Sequence, residues 1–262
     1  MDKEKKVRHE FNSSSTYFKM MADWHKSHGG VAIEGEVKNI IQDHCNDGAH
    51  ILEAGCGEGS ITLWFAAQNP STNFFGVDIS KIGIQMAQTN SLVNARFYVA
   101  DLKQLAEQNN SVDFIFSQSV LEHVVNWEDG LREMYRVLKK GGVLLIRVGN
   151  GGVRGKSLPI ALRDYLFFCN QVKEVNPSFR LNEGDYHAHM TNFDVQEIPS
   201  DALLYVLKAC GFNIRFFSTR TYLFRSGDSR GVRAVILWVL SYLNFWPFNH
   251  LGPTIIVSAQ KD

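Results

Sequence analysis

Between about Ala49 and Val148, short apolar runs recur at regular spacing: HILEA (50–54), NFFGV (73–77), RFYVA (96–100), DFIFS (113–117) and VLLIR (143–147). Segments of helical character lie between them, among them SITLWFAAQ (60–68) and WEDGLREMYRVLKK (127–140). Alternation of this kind predicts a parallel sheet with helices on both faces. Two helices are expected before it, at roughly Ser13–Lys26 and Ala32–Cys45. After it come a long insertion over about 149–198, a helix over 201–210 and a strand over 212–217. Asp201 suits the first turn of that helix, where a carboxylate meets the positive end of the dipole. A final apolar strand, PTIIVSAQ (253–260), completes the pattern. Five parallel strands and a terminal pair fit one domain, not two.

Composition changes this picture little. Hydrophobic residues at 45% and charged residues at 21% are an ordinary globular balance, so disorder is not the default. Lys plus Arg equals Asp plus Glu at 27 each, so no overall field attracts a polyanion, which argues against a nucleic-acid partner. Cys45, Cys56, Cys169 and Cys210 are scattered with no C-x-x-C pair, and read as reduced thiols. The charged start MDKEKKVRHE does not read as a secretory leader. The most apolar stretch, from Ala234 to Leu240 and on to Phe248 with Ser, Asn and Pro interruptions, is shorter than the ~18–20 residues of a spanning helix. The expectation is a cytoplasmic protein.

The strongest local signal is Glu53-Ala54-Gly55-Cys56-Gly57-Glu58-Gly59-Ser60, directly after the first strand. Glycines there let the backbone turn sharply and approach a ligand. The helix that follows presents free N–H groups and a positive dipole end. Such a turn suits a nucleotide-like or carboxylate-bearing ligand. Asp78 ends the second strand and Asp101 ends the third in the same way. A carboxylate in the first place commonly accepts from ribose hydroxyls, and one in the second can accept from an adenine amine. Each Asp alone could equally be a turn or cap residue. The nicotinamide fingerprint G-x-G-x-x-G does not fit, because the third glycine comes one residue early and Ser60 stands where that pattern ends.

The blocks EAGCGEGS, GVDIS, VADL, DFIFSQSVLEHV and LKKGGVLLIRV together resemble the class I S-adenosylmethionine-dependent methyltransferases, in their small-molecule branch. The resemblance covers about residues 48–148. It implies an α/β fold: a doubly wound, mostly parallel, Rossmann-like sheet of seven strands with an antiparallel last strand. It divides the chain into an N-terminal helical cap (1–47), a cofactor-binding core (48–148), an acceptor-side insertion (149–198) and a C-terminal sheet completion (199–262) with an apolar insertion (224–252). The implied cofactor is S-adenosyl-L-methionine. Gly55, Gly57 and Gly59 would pass its methionine and ribose parts, with Glu53 near the methionine amino group. Asp78 would bind the ribose diol and Ile79 pack on adenine. Asp101 would accept from the adenine amine, Leu102 support the ring, and Ser117 offer its backbone to the methionine amino group.

Gln118 and the Glu122-His123 pair would face the reaction side, and His123 is the first candidate base. Its plainer role is to pack or cap the turn. Asp185-Tyr186-His187-Ala188-His189 is a second cluster, and His189 is the second candidate base. A metal needs three good ligands with a supporting shell, and no fixed third ligand is visible, so no metal is expected. The histidines there read mainly as acceptor-pocket lining, and Tyr17 and Trp24 as further contacts. Arg225, Arg230 and Arg233 precede VILWVLSYLNFWPF. That run reads as buried core or a homodimer contact, with peripheral contact to an anionic membrane as the alternative. The expected acceptor is small or lipid-like. Methylation of protein or nucleic acid, and a non-catalytic binding module, stay open.

Overall fold

The computed structural model describes residues 3–13, 15–28, 33–150, 186–188, 194–196, 198–220 and 254–262. Helices α1 (Lys3–Ser13), α2 (Ser15–Ser27) and α3 (Gly35–Asp43) lead into β1 (His50–Ala54). Then follow α4 (Ser60–Gln68), β2 (Asn73–Asp78), α5 (Lys81–Thr89), β3 (Ala95–Val99), β4 (Val112–Gln118), α6 (Trp127–Val137) and β5 (Leu138–Gly149). A short pair, β6 (Tyr186–Ala188) and β7 (Asp194–Gln196), precedes α7 (Ser200–Ala209), β8 (Phe212–Arg220) and β9 (Thr254–Lys261). The main sheet has seven strands in the order β3-β2-β1-β4-β5-β9-β8. Its first five run parallel, and β9 runs antiparallel to both β5 and β8.

The period-two alternation of these strands feeds two cores, one on each face of the sheet. Leu52, Ile115, Leu144 and Ile146 pack on the side of α6 and α7, with Trp127, Leu131, Met134 and Leu203. Ile51, Phe114, Phe116 and Leu145 face the other way, toward Val37, Ile41, Phe65 and Ile84 of α3, α4 and α5. Most of these side chains are fully buried, and each contributes roughly 1.5–3 kcal/mol of transfer free energy.

Helix α6 shows why one expected boundary moved. Trp127, Leu131, Met134 and Val137 recur at helical spacing and are all buried. The helix was expected to run to Lys140 but stops at Val137. Leu138 pairs with Val112 of β4, and Lys139 Nζ bonds both carboxylate oxygens of Asp113 at 2.8 Å. The ammonium of Lys261, from β9, donates to the carbonyls of Tyr135 (2.6 Å) and Leu138 (2.9 Å), satisfying groups that a helix end leaves open. Helix α1 lies within the expected helical cap (1–47) but ahead of the two helices placed there. Its sequence has a weak apolar stripe, and it is tied down by contacts far along the chain: Ser80 Oγ donates to the Phe11 carbonyl at 3.1 Å, and Lys81 N to Asn12 Oδ1 at 2.7 Å.

Candidate active site

The turn after β1 is held from beneath. The N–H groups of Gly55 and Cys56 both donate to the Val77 carbonyl of β2, at 2.8 and 2.9 Å. Gly55, with φ +87°, lies against Val120, where a Cβ would come within 2.3 Å of Val120 Cγ2. Glu53 accepts from the Thr62 N–H at 3.0 Å and from the Thr62 hydroxyl, closing the first turn of α4. Burial pushes the Glu53 carboxyl up to about 8, against the opposing effect of those Thr62 bonds. It therefore holds its proton at neutral pH until a cation approaches.

Asp78 ends β2 and braces the same turn. Its Oδ2 accepts from the Gly57 N–H at 2.9 Å and its Oδ1 from the Ser80 N–H at 2.8 Å. Burial raises its pKa, and the backbone bonds counter that. A carboxylate has about four acceptor sites, so lone pairs remain for a ligand. Asp101 lies two residues past β3. Its Oδ1 accepts from the Lys103 N–H at 3.0 Å, and Arg8 of α1 approaches Oδ2 at 3.4 Å.

Glu53, Asp78 and Asp101 line one cavity of about 210 Å³, together with Gly55, Gly57, Ile79 and Leu102. Gly59 and Ser117 do not line it. Gly59 is the left-handed residue (φ +81°) that opens α4, and a Cβ there would meet Ala87 at 2.8 Å and Phe97 at 2.9 Å. The Ser117 hydroxyl donates to the Ala54 carbonyl at 2.8 Å, stitching β4 to β1. His123, in a single turn after β4, lines the cavity and meets Phe11 edge to face at 5.5 Å. Glu122 beside it is buried and is not part of the lining. His189 lies outside the described residues, as do 224–252 and most of 149–198.

The opposite wall comes from α1 and α2. Val7, Phe11, Phe18 and Met21 line the cavity beside Tyr17 and Trp24. Burial, then Glu58, Asp78 and Glu122, push the Tyr17 phenol up to about 12, so it stays a hydrogen-bond donor. The stripe at 17, 21 and 24 was a readable signal, because it is one face of a helix. Glu34, Ser119 and Arg147 also line the cavity and were not expected. Arg147 Nη2 and Nε lie 2.8 and 3.1 Å from Glu34 Oε1, and Nη1 lies 2.5 Å from Ser119 Oγ.

The donors and acceptors around this cavity match an amino-acid-bearing nucleoside. Carboxyls at the ends of three adjacent strands offer partners for an ammonium, a diol and an exocyclic amine. The bare backbone of Gly55 and Gly57 leaves room for close approach.

Residues 52–146 match the model of a methyltransferase domain family. The trans-aconitate 2-methyltransferase of Variovorax paradoxus is 29% identical over 39% of this chain and 39% of its own length. A tRNA N(3)-methylcytidine methyltransferase of Schizosaccharomyces pombe is 33% identical over 43% of this chain and 40% of its own. This chain thus matches about two fifths of the length of those curated relatives. A solved structure of a SAM-dependent methyltransferase from Methanosarcina mazei superposes with a TM-score of 0.57 at 23% identity, over 85% of this chain and 96% of that one.

Proposed function

We propose that this chain, whose residues 52–146 belong to the methyltransferase domain family, transfers a methyl group from S-adenosylmethionine to a small or amphipathic acceptor. The observation that carries the reading is the convergence of Glu53, Asp78, Asp101 and the glycine turn on one cavity. When bound, S-adenosylmethionine supplies an electrophilic methyl group on a sulfonium, so the protein's task is orientation and electrostatics. Asp78 would hold the ribose diol, Asp101 the adenine amine, and Glu53 the methionine ammonium. Holding the acceptor in line with the methyl could supply up to about 7–11 kcal/mol of the barrier. A base adds about 10²–10⁴-fold, and only when the acceptor must lose a proton early. His123, which lines the cavity, would take that proton, so His123→Ala should lower kcat by about 10²-fold or more with an acidic-proton acceptor, and little with one that carries no such proton.

A cavity walled by Phe11, Phe18, Met21 and Trp24 supports an acceptor with an apolar body: a specialised metabolite, a lipid-linked intermediate or a substituted saccharide. The relatives' own acceptors range from trans-aconitate to a tRNA cytidine, so the test must separate classes. Calorimetry with S-adenosylhomocysteine should show binding, weakened about 100-fold or more by Asp78→Ala through loss of two charge-assisted hydrogen bonds. Incubation of cell extract with labelled cofactor should place label in the small-molecule or lipid fraction. Label in protein or RNA would refute the acceptor class, and binding with no transfer would mark a non-catalytic module.

A further inference from the structure

The cofactor expectations leave one part of the cavity unexplained, the carboxyl edge of β4 and β5. Gln118 and Arg147 are register partners there, so their side chains leave the sheet on the same face, and both line the cavity. The Gln118 amide nitrogen is buried and has no hydrogen-bond partner among the described residues. A buried donor left in that state is costly unless a ligand completes it. Arg147 has five N–H donors, of which three meet Glu34 and Ser119. Those contacts fix the guanidinium. Ser119 itself sits at φ +54°, a conformation unusual for a residue with a side chain, and its N–H donates to the Arg147 carbonyl at 2.8 Å. The arrangement is rigid before any ligand arrives.

We propose that Gln118 and Arg147 together bind an uncharged carbonyl oxygen of the acceptor. The location of the acceptor rests on the methyl-transfer reading above, while the site's chemistry rests on this geometry alone. The buried group left unsatisfied at this point is a donor, the amide nitrogen, and the guanidinium beside it has further N–H groups, so the group that completes them presents an oxygen lone pair. Charge then decides between a carboxylate and a neutral carbonyl. Glu34 already balances Arg147, and the carboxyls of Asp78 and Asp101 line the same cavity. A further anion would lose its hydration to enter a site where Arg147 is already paired with Glu34, while Lys103, which also lines the cavity, lies beside Asp101. An ammonium would leave the buried amide nitrogen without an acceptor. An amide, ketone or ester on an apolar body fits both the donors and the walls of Met21, Trp24 and Ile33.

The test uses benzamide, benzoate and benzylamine as three probes of one shape, titrated by ligand-observed NMR with and without saturating S-adenosylhomocysteine. Benzamide should bind most tightly, and Gln118→Leu should weaken it roughly 5- to 100-fold, the range expected for losing a hydrogen bond in a dry site. Arg147→Met should do the same. Because it also strands Glu34, its fold is checked by thermal unfolding, and Gln118→Leu decides if it fails. S-adenosylhomocysteine affinity should move by less than about 2-fold in Gln118→Leu, since the lost bond is on the acceptor side. Tighter binding of benzoate or benzylamine would overturn the proposal, as would benzamide binding unmoved by Gln118→Leu or no binding of any probe. Failure of S-adenosylhomocysteine to bind the parent protein would sink the methyl-transfer reading instead, and the ranking of probes without it would still judge this one.

Discussion

The two walls of the cavity are built by different means. On the cofactor side, the turn at 55–59 and Asp78 are braced by backbone bonds to immediate neighbours in the sheet. On the acceptor side, Phe11, Tyr17 and Trp24 reach the cavity from helices that precede the sheet, and Arg147 is set by Glu34 across 113 positions of sequence. The first wall is a property of one strand–turn–helix unit. The second exists only when distant parts of the chain have docked. On the methyl-transfer reading proposed above, the first wall would hold the cofactor and the second would select the acceptor.

The sharpest way to break this contrast is Gly55→Ala. A side chain at φ +87° costs roughly 1–2 kcal/mol, and a clash with Val120 adds to it. Denaturation midpoints should fall by the equivalent of about 2–4 kcal/mol, and Val120→Ala in the same protein should restore the steric part alone. If Gly55→Ala were neutral, the turn would not be the rigid half.

A smaller effect is expected from Glu53→Gln, which keeps the Thr62 bonds without the titration. Glu53 has a folded pKa of about 8 against an ordinary 4.5. Between those values the folded form keeps a proton that the unfolded chain has lost. Its contribution is therefore full below pH 4.5 and falls as pH rises to about 8, by at most about 1.4 kcal/mol per pH unit. Urea titrations across that window should show the slope in the parent protein and a flatter one in the variant. The bound ammonium of the cofactor should also lower this pKa. Binding of S-adenosylhomocysteine at pH 7 should thus release protons, read from calorimetry in buffers of different ionisation enthalpy.

The smallest effect tests the docked half. Arg8 is half exposed in its pair with Asp101, and such pairs are worth about 0–1 kcal/mol. Arg8→Ala should weaken S-adenosylhomocysteine by no more than about 5-fold. A loss near that of Asp78→Ala would mean that α1 belongs to the rigid wall.

The same contrast governs what could be read from residues alone. The strands, the sheet order implied by the resemblance and the turn at 53–60 were legible because each is written in contiguous residues. The convergence of Glu53, Asp78 and Asp101 followed from topology, since the carboxyl ends of parallel strands share an edge. Gly59 and Ser117 stand behind the lining, where Gly59 lies against Ala87 and Phe97 and the Ser117 hydroxyl bonds Ala54. Helix α1 was not singled out within the cap because its stability comes from Ser80, Lys81 and Asp101 and not from its own propensity. Arg147 read as a strand residue in LLIRV. Nothing local marks it as half of a pair with Glu34. The end of α6 was misplaced for a like reason, because Leu138 and Lys261 draw it closed from other strands.

The position of β9 between β5 and β8 has a consequence for how the molecule is made. β8 is synthesised well before β9, yet its ladder is with β9. Until residues 254–261 leave the ribosome, β8 has no sheet neighbour among the described residues, and β5 shows an open edge of the kind that invites wrong pairing between nascent chains. The five parallel strands can mature early, so a ribosome stalled after β8 should yield a core that already protects its amides, with a sticky flank that the late strand alone can seal.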